Sequence, residues 1–515
     1  MTIPNSEKDT IVIGSGIGGL ACAAALAKCG RRILVLEQQA TAGGFTKSFS
    51  RHGFTWDVGV RHLGGVGPDS PSAAHLAWLS EGTLQMAPLG PVYETVHFPG
   101  GFEIQFSRPE QALRMDLKER FPASAAEIDA YFEALLEAEQ AAHSMFTLRS
   151  LPHLLANLYS VWKLPAIKQW CGRTTGEVLD ELIGDPKLRA VLASQWLDYG
   201  GLPHHASFGV HAAIIRSFLE GAFYPSGGAK AFAEKLIPVI EHAGGKVVLN
   251  ARVEQLLVEN NTVCGVRLAD GATVRSPHVV SAAGVLVTVG RLLPEELRQS
   301  EWAREILSLE PSVCHLSLYL GLEGNIRAHG ATLSNHSIYE TWDPDASIWR
   351  NPFNSSAAPC CFVSFPSLKD PQHKPGERQK HTGDILVMVS WEAFREWENA
   401  WREGREDEYQ RHKARIEQTL LKQFGRYFPK LVPLIRYHEL ATPLSTVHWH
   451  GSPHGAIYGV ECTPRRFLSR SLDVVTPIAG LYLAGQDVVT PGVIGALNGG
   501  LLAAAAIDPR IFEHL

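Results

Sequence analysis

The chain has 515 residues, 45% hydrophobic and 19% charged, with 47 basic and 53 acidic residues giving a net charge of −6. This is globular composition, long enough for two or three units around a large cavity, and it excludes a disordered or fibrous protein. The acidic balance also excludes a sequence-independent nucleic-acid binder, which is usually basic.

Thr10-Ile11-Val12-Ile13 is a β-branched run that predicts a buried strand. It leads into Gly14-Ser15-Gly16-Ile17-Gly18-Gly19, and Leu20 to Lys28, rich in Ala and Leu, predicts a helix. Arg32 to Leu36 predicts a second strand, closed by Glu37. Strand, glycine turn, helix and terminal acid together make the context a dinucleotide fingerprint needs. Gly14 serves the tight turn, Gly16 lets backbone approach a pyrophosphate, and Gly19 allows close packing of helix on strand. The helix N-terminus offers unpaired N–H groups to the phosphates. Glu37 is placed to accept hydrogen bonds from an adenosine ribose, and its charge disfavours a 2′-phosphate.

Gly43-Gly44 and Asp57-Val58-Gly59 fall in loops, and Val92–Phe98 with Phe102–Phe106 predicts a hairpin. From Pro109 to about Leu197 the pattern is helical, with breaks expected at Pro122, Pro152 and Pro165. A turn at Tyr224-Pro225-Ser226-Gly227-Gly228 precedes a helix to about His242 and a small meander from 246 to 275. Strands dominate 313–460, interrupted by a charged helix from about Trp391 to Phe428. A last strand ends in the turn Gly485-Gln486-Asp487, and Ile494 to Ile507 predicts a helix of small residues. There is no internal repeat or low-complexity linker, so the domains should be interleaved.

The eight cysteines are scattered without a C-x-x-C pair, which fits a reducing cytoplasm rather than a zinc ribbon or disulfide framework. No run reaches ~18 apolar residues, so no membrane-spanning helix is expected. The acid-free window 149–173 places Arg149, Lys163, Lys168 and Arg173 beside Leu154, Leu155, Leu158 and Trp162. It suits a helix lying in a bilayer interface, and equally a helix packed on its own domain. His448 and His450 would share one strand face, but no carboxylate or cysteine nearby completes a site with them and His454, so no metal is expected.

V-I-G-S-G-I-G-G-L, L-V-L-E-Q, A-G-G and D-V-G near the start, with L-Y-L-A-G-Q-D near the end, resemble the FAD-dependent phytoene desaturase superfamily. Within it, Asp57 to Gly65, Gly221 to Gly228 and Phe365 to Pro371 are most similar to retinol saturases and carotenoid isomerases. The resemblance implies an α/β fold: a Rossmann-like FAD domain (1–90, 221–295 and 465–515) interleaved with an α+β substrate domain (91–108 and 296–464) under a helical lid (109–220). It implies FAD held by Gly14, Gly16, Gly18, Gly19, Glu37, Gly43, Gly44, Val253, Gly485, Asp487 and Ile494. It further implies reaction at a C=C bond of a lipophilic polyene, retinoid or carotenoid. Saturation is favoured over desaturation or isomerisation, and a redox-silent prenyl-lipid carrier is the rival. The electron donor or acceptor is not specified. A buried carboxylate would be costly beside a polyene, so the proton should pass through a hydroxyl or imidazole, with Tyr224, Tyr458 and His62 as candidates.

Overall fold

The computed structural model describes residues 9–150, 153–400 and 402–515, apart from the side chains of residues 150, 153–158 and 160. Five short parallel strands form one sheet, in the order Leu481–Leu483, Val279–Ser281, Thr10–Ile13, Ile33–Leu36, Lys246–Val248. Every residue of Thr10–Ile13 and Ile33–Leu36 is buried, as parallel strands covered on both faces require. This is the Rossmann-like half of an α/β fold, and it is assembled from distant parts of the sequence.

Helix Ile17–Lys28 packs against helix Gly492–Ile507. Glycine makes the approach possible. A Cβ on Gly18 would lie 2.8 Å from Gly485 Cα, one on Gly500 would lie 2.1 Å from the Gly18 carbonyl oxygen, and one on Gly499 2.2 Å from that of Gly485. Backbone meets backbone here with no room for side chains.

A second sheet has seven strands, in the order Ile435–Ala441, Cys314–Glu323, Lys380–Val389, Cys360–Ser364, Asn335–Tyr339, Val92–Phe98, Phe102–Ser107. Its pairs are antiparallel except Asn335–Tyr339 with Val92–Phe98. The register sets Asn335 beside Glu94 and Ser364 beside Asp384. Helices Ala125–Ser150, His153–Cys171 and Phe208–Leu219 pack together outside both sheets.

Several expectations are corrected. Pro165 lies inside helix His153–Cys171 instead of ending it. The carbonyl it leaves unbonded belongs to Val161, on a turn exposed to water. Pro152 and Leu151 lie outside the described residues, as do the side chains of Leu154, Leu155 and Leu158. Arg149 is buried, donating to the carbonyls of Val488 at 2.7 Å and Arg466 at 2.6 Å, so it is no interfacial base. The charged helix is two pieces, Glu392–Arg395 and Glu406–Tyr427. His448 and His450 belong to helix Pro443–His450, not to a strand. Thr442 caps that helix reciprocally with Ser445, and Pro443 occupies its first position. Among the described residues no helix is long and apolar enough to cross a membrane.

Candidate active site

A cavity of about 910 Å³ runs between the two sheets and the helices. At one end, strand Thr10–Ile13 delivers the chain into Gly14, with φ +96°, and Gly16 caps helix Ile17–Lys28. Two of these glycines are fixed by packing. A Cβ on Gly19 would fall 2.0 Å from the Gly14 carbonyl oxygen, and Gly18 abuts Gly485. Gly16 differs, because a Cβ there would meet nothing within 4 Å and would project into the cavity that Gly16 lines. A glycine with open space in front of it marks a surface meant for close approach.

Glu37, also lining the cavity, is buried and accepts from Ser15 N at 2.9 Å, Ser15 Oγ at 2.7 Å and Gln39 N at 2.8 Å. These bonds hold the carboxylate rigidly while leaving lone-pair capacity for a ribose hydroxyl. Asp487 accepts from Val460 N and Val285 N, both at 2.9 Å. A Cβ on Gly459 would lie 1.9 Å from Asp487 Oδ1, so glycine is required there too. Gly14, Gly18, Gly43, Gly44, Val253 and Gly485 line the same end, with Ile494 in the first turn of helix Gly492–Ile507. Gly19 does not reach the cavity. The open face at Gly16, the held carboxylate of Glu37 and two helix N-termini fit FAD, which would set its phosphates at Gly16, its adenosine at Glu37 and Val253 and its ribityl chain at Asp487.

The other end has Phe146, Leu197, Phe218, Phe362 and Leu386 among its walls. His62 stands in it between Phe218 and Phe362, at ring-centroid distances of 4.6 and 5.9 Å. Asn335 Nδ2 lies 2.5 Å from His62 Nδ1. His62 Nε2 lies 3.3 Å from Asp198 Oδ1, without the alignment of a hydrogen bond. Tyr458 also lines the cavity, and its hydroxyl donates to the Leu197 carbonyl at 3.1 Å. Burial pushes that phenol well above its ordinary range. Tyr224 is placed elsewhere. It is buried outside the cavity lining and its hydroxyl donates to Asp57, so it meets nothing in the cavity to protonate.

Sequence reasoning missed four polar residues here. Asp198 and His315 line the cavity, and Asn335 and Lys369 stand behind His62. Burial pushes the His315 imidazole down to about 3, so it is neutral. The three histidines near 450 disperse: His448 meets Trp449 edge-on, His450 stacks on Phe45 at 4.1 Å, and His454 stacks on Trp391.

Comparison with known proteins agrees with this geometry. Over residues 17–508 the chain matches the family model described as flavin containing amine oxidoreductase. It is 33% identical to an all-trans-retinol 13,14-reductase of Danio rerio, over 98% of this chain and 86% of that one. It is 24% identical to a chloroplastic prolycopene isomerase of Daucus carota, over 97% and 79% of the two chains. The structure of an oxidoreductase from Methanosarcina mazei superposes with a TM-score of 0.62 at 18% identity, covering 96% of this chain and 98% of that one. With a fold, a glycine cradle and a family match that span the chain, the protein belongs to the flavin-containing amine oxidoreductase family and is an FAD-dependent oxidoreductase.

Proposed function

We propose that the protein reduces one C=C bond of a conjugated, lipophilic polyene of the retinoid type. The observation that carries this is one cavity joining the glycine cradle to an apolar chamber. The aromatic and aliphatic side chains in that chamber, Phe146, Leu197, Phe218, Phe362 and Leu386, suit an apolar polyene. Full-length similarity to all-trans-retinol 13,14-reductases supports it. Reduced FAD, when bound, supplies a hydride to one alkene carbon. The chain's own residues hold the polyene edge against that end, exclude water, and deliver a proton to the neighbouring carbon. His62 and Tyr458 stand in the wall where that proton must arrive. The sequence has no second strand–G-x-G-x-x-G–helix, so electrons come from a reductant that docks transiently.

Helix His153–Cys171 is the membrane contact in this reading. Val161 is 72% exposed and Trp162 85%, next to exposed Lys163 and Lys168. Apolar groups that dip into lipid beside lysines that face its headgroups are the marks of an interfacial helix. The preceding helix supplies Phe146 and Thr147 to the cavity wall, which sets the chamber close to that surface.

The test is anaerobic incubation of the photoreduced holoprotein with all-trans-retinol and a set of carotenoids. A product heavier by two hydrogens with reoxidised flavin is the expected result. Isomerised product of unchanged mass would replace reduction by isomerisation, and a product lighter by two hydrogens from oxidised enzyme would make it a desaturase.

A further inference from the structure

Behind the apolar chamber lies a chain of buried polar side chains that the proposed reaction has not yet used. Lys369 is 3% exposed and does not line the cavity. Its Nζ donates to the Arg61 carbonyl at 2.8 Å, to Ser364 Oγ at 2.8 Å and to Asn335 Oδ1. An ammonium has three donors and no acceptor, and here all three are used. The two ends of an asparagine amide are ordinarily hard to tell apart. Below about pH 7, where Lys369 keeps its proton, it removes the ambiguity, because its ammonium can only face the amide oxygen. The Asn335 NH2 must then face His62 Nδ1, and it does so at 2.5 Å.

That contact decides where His62 keeps its proton. A neutral imidazole has one N–H and one lone pair. With Nδ1 accepting from Asn335, the hydrogen is on Nε2, which lies 3.3 Å from Asp198 Oδ1. The opposite tautomer would set a lone pair on Nε2 against a carboxyl oxygen. Asp198 lines the cavity where His62 does, and its Oδ2 is buried without a partner.

We infer that Asp198 is the catalytic residue that protonates the substrate carbon, and that Lys369, Asn335 and His62 are positioning residues that keep an Nε2–H beside it. This rests on the reduction reading for the use of the proton, but not for the tautomer. In the step, hydride addition moves the π pair to the neighbouring carbon. Seating the polyene takes water away from Asp198, and the carboxyl takes up a proton from solvent as loss of water favours its neutral form. On hydride addition that O–H bond breaks, a C–H bond forms with the π pair, and a carboxylate is left. The His62 Nε2–H closes on the new carboxylate and stabilises it, as charge-assisted hydrogen bonds do. Solvent returns the proton between turnovers. The assignment replaces the expectation that only a hydroxyl or imidazole could serve. A carboxyl beside a polyene is costly as an unpaired anion, and the imidazole N–H supplies the partner.

Two measurements test it on the holoprotein. Ring-nitrogen NMR of 15N-histidine-labelled protein, with His62 assigned by loss of its signal in His62→Gln, should show a pyrrole-type Nε2 and a pyridine-type Nδ1. Asn335→Asp, whose carboxylate accepts from both neighbours, should move the hydrogen to Nδ1. Lys369→Met should give a mixture. Asp198→Asn should keep its FAD and the His62 tautomer but slow reoxidation of reduced flavin by polyene on the order of 100-fold or more. Nδ1–H in the unaltered protein, or no change in Asn335→Asp, overturns the positioning chain even if Lys369→Met fails to fold. Near-normal turnover in Asp198→Asn overturns the catalytic assignment and leaves reduction standing. An unaltered protein that reduces no polyene removes the reduction reading and the role of Asp198 with it, while the tautomer is still decided by the NMR.

Discussion

Gly16 and Gly19 are three residues apart in one motif, yet they fail in different ways when given a side chain. Gly16→Ala would crowd the cofactor and nothing else, since its Cβ meets no protein atom within 4 Å. Overpacking costs of about 1–3 kcal/mol correspond to ~5–150-fold in affinity, so flavin absorbance per protein should fall while the circular dichroism is kept. Gly19→Ala would drive a methyl to 2.0 Å from the Gly14 carbonyl, and the protein itself should lose at least about 1–3 kcal/mol, read as a lower urea midpoint. Tyr224 makes a similar contrast with Asp198. Tyr224→Phe removes a donor from the buried Asp57 carboxylate and should cost about 1–3 kcal/mol of stability with turnover nearly unchanged. A large fall in turnover at normal stability would return Tyr224 to the chemistry. The glycines were legible because turn chemistry is local: each needs only its neighbours in sequence. Asp198 was not, because it acquires meaning only next to His62, a residue far away in the sequence.

Helix His153–Cys171 carries the clearest prediction at the level of elements. Replacing Val161 and Trp162 together with Ser should weaken liposome flotation at unchanged FAD content, because both side chains already face water and contribute little to packing. Unchanged flotation would leave the helix as an ordinary exposed surface. The sequence was misread in this region where a basic residue was judged by composition alone. Arg149 donates from both terminal guanidinium nitrogens to the carbonyls of Arg466 and Val488, contacts that span more than half the chain. The misassigned strand at His448 and His450 has a different cause. Alternating histidines mimic a period of two, and they outweighed the Thr442-Pro443 start signal, which is the stronger cue because it satisfies orphan N–H groups. The hairpin at Val92–Phe98 and Phe102–Ser107 needed no such arbitration, since its Gly100-Gly101 turn is explicit.

Over the whole molecule, two buried charges should make stability depend on pH in opposite directions. Burial pushes Lys369 down from 10.5 to about 7, so the unfolded chain holds a proton that the native state has released between those values. Stability should therefore rise as pH goes from about 7 to 10.5 and be lost again as pH falls. Burial, then the charge of Asp198, pushes Glu94 up from 4.5 to about 8, so its contribution is present below 4.5 and is lost as pH rises through 8. Asp384, Arg61, Glu94 and Asp198 all act on Lys369, so the two trends should meet in a shallow minimum near neutrality. Urea midpoints across pH should show it, with Lys369→Met flattening the alkaline rise and Glu94→Gln the acid-side fall. The interleaved architecture was legible as a whole because the glycine turns fall at opposite ends of the sequence. The polar chain was not, because strand register alone brings residues 94, 335, 364 and 384 together. The interlocked glycines also tie cofactor loading to the timetable of synthesis. Gly14 to Gly19 leave the ribosome long before Gly485, Gly499 and Gly500, which close over them. The nascent chain therefore carries half a phosphate cradle until those glycines emerge, and flavin should be acquired after that point rather than before it. Stalled ribosomes carrying residues 1–484 should pellet without flavin, and full-length chains released into FAD should turn yellow.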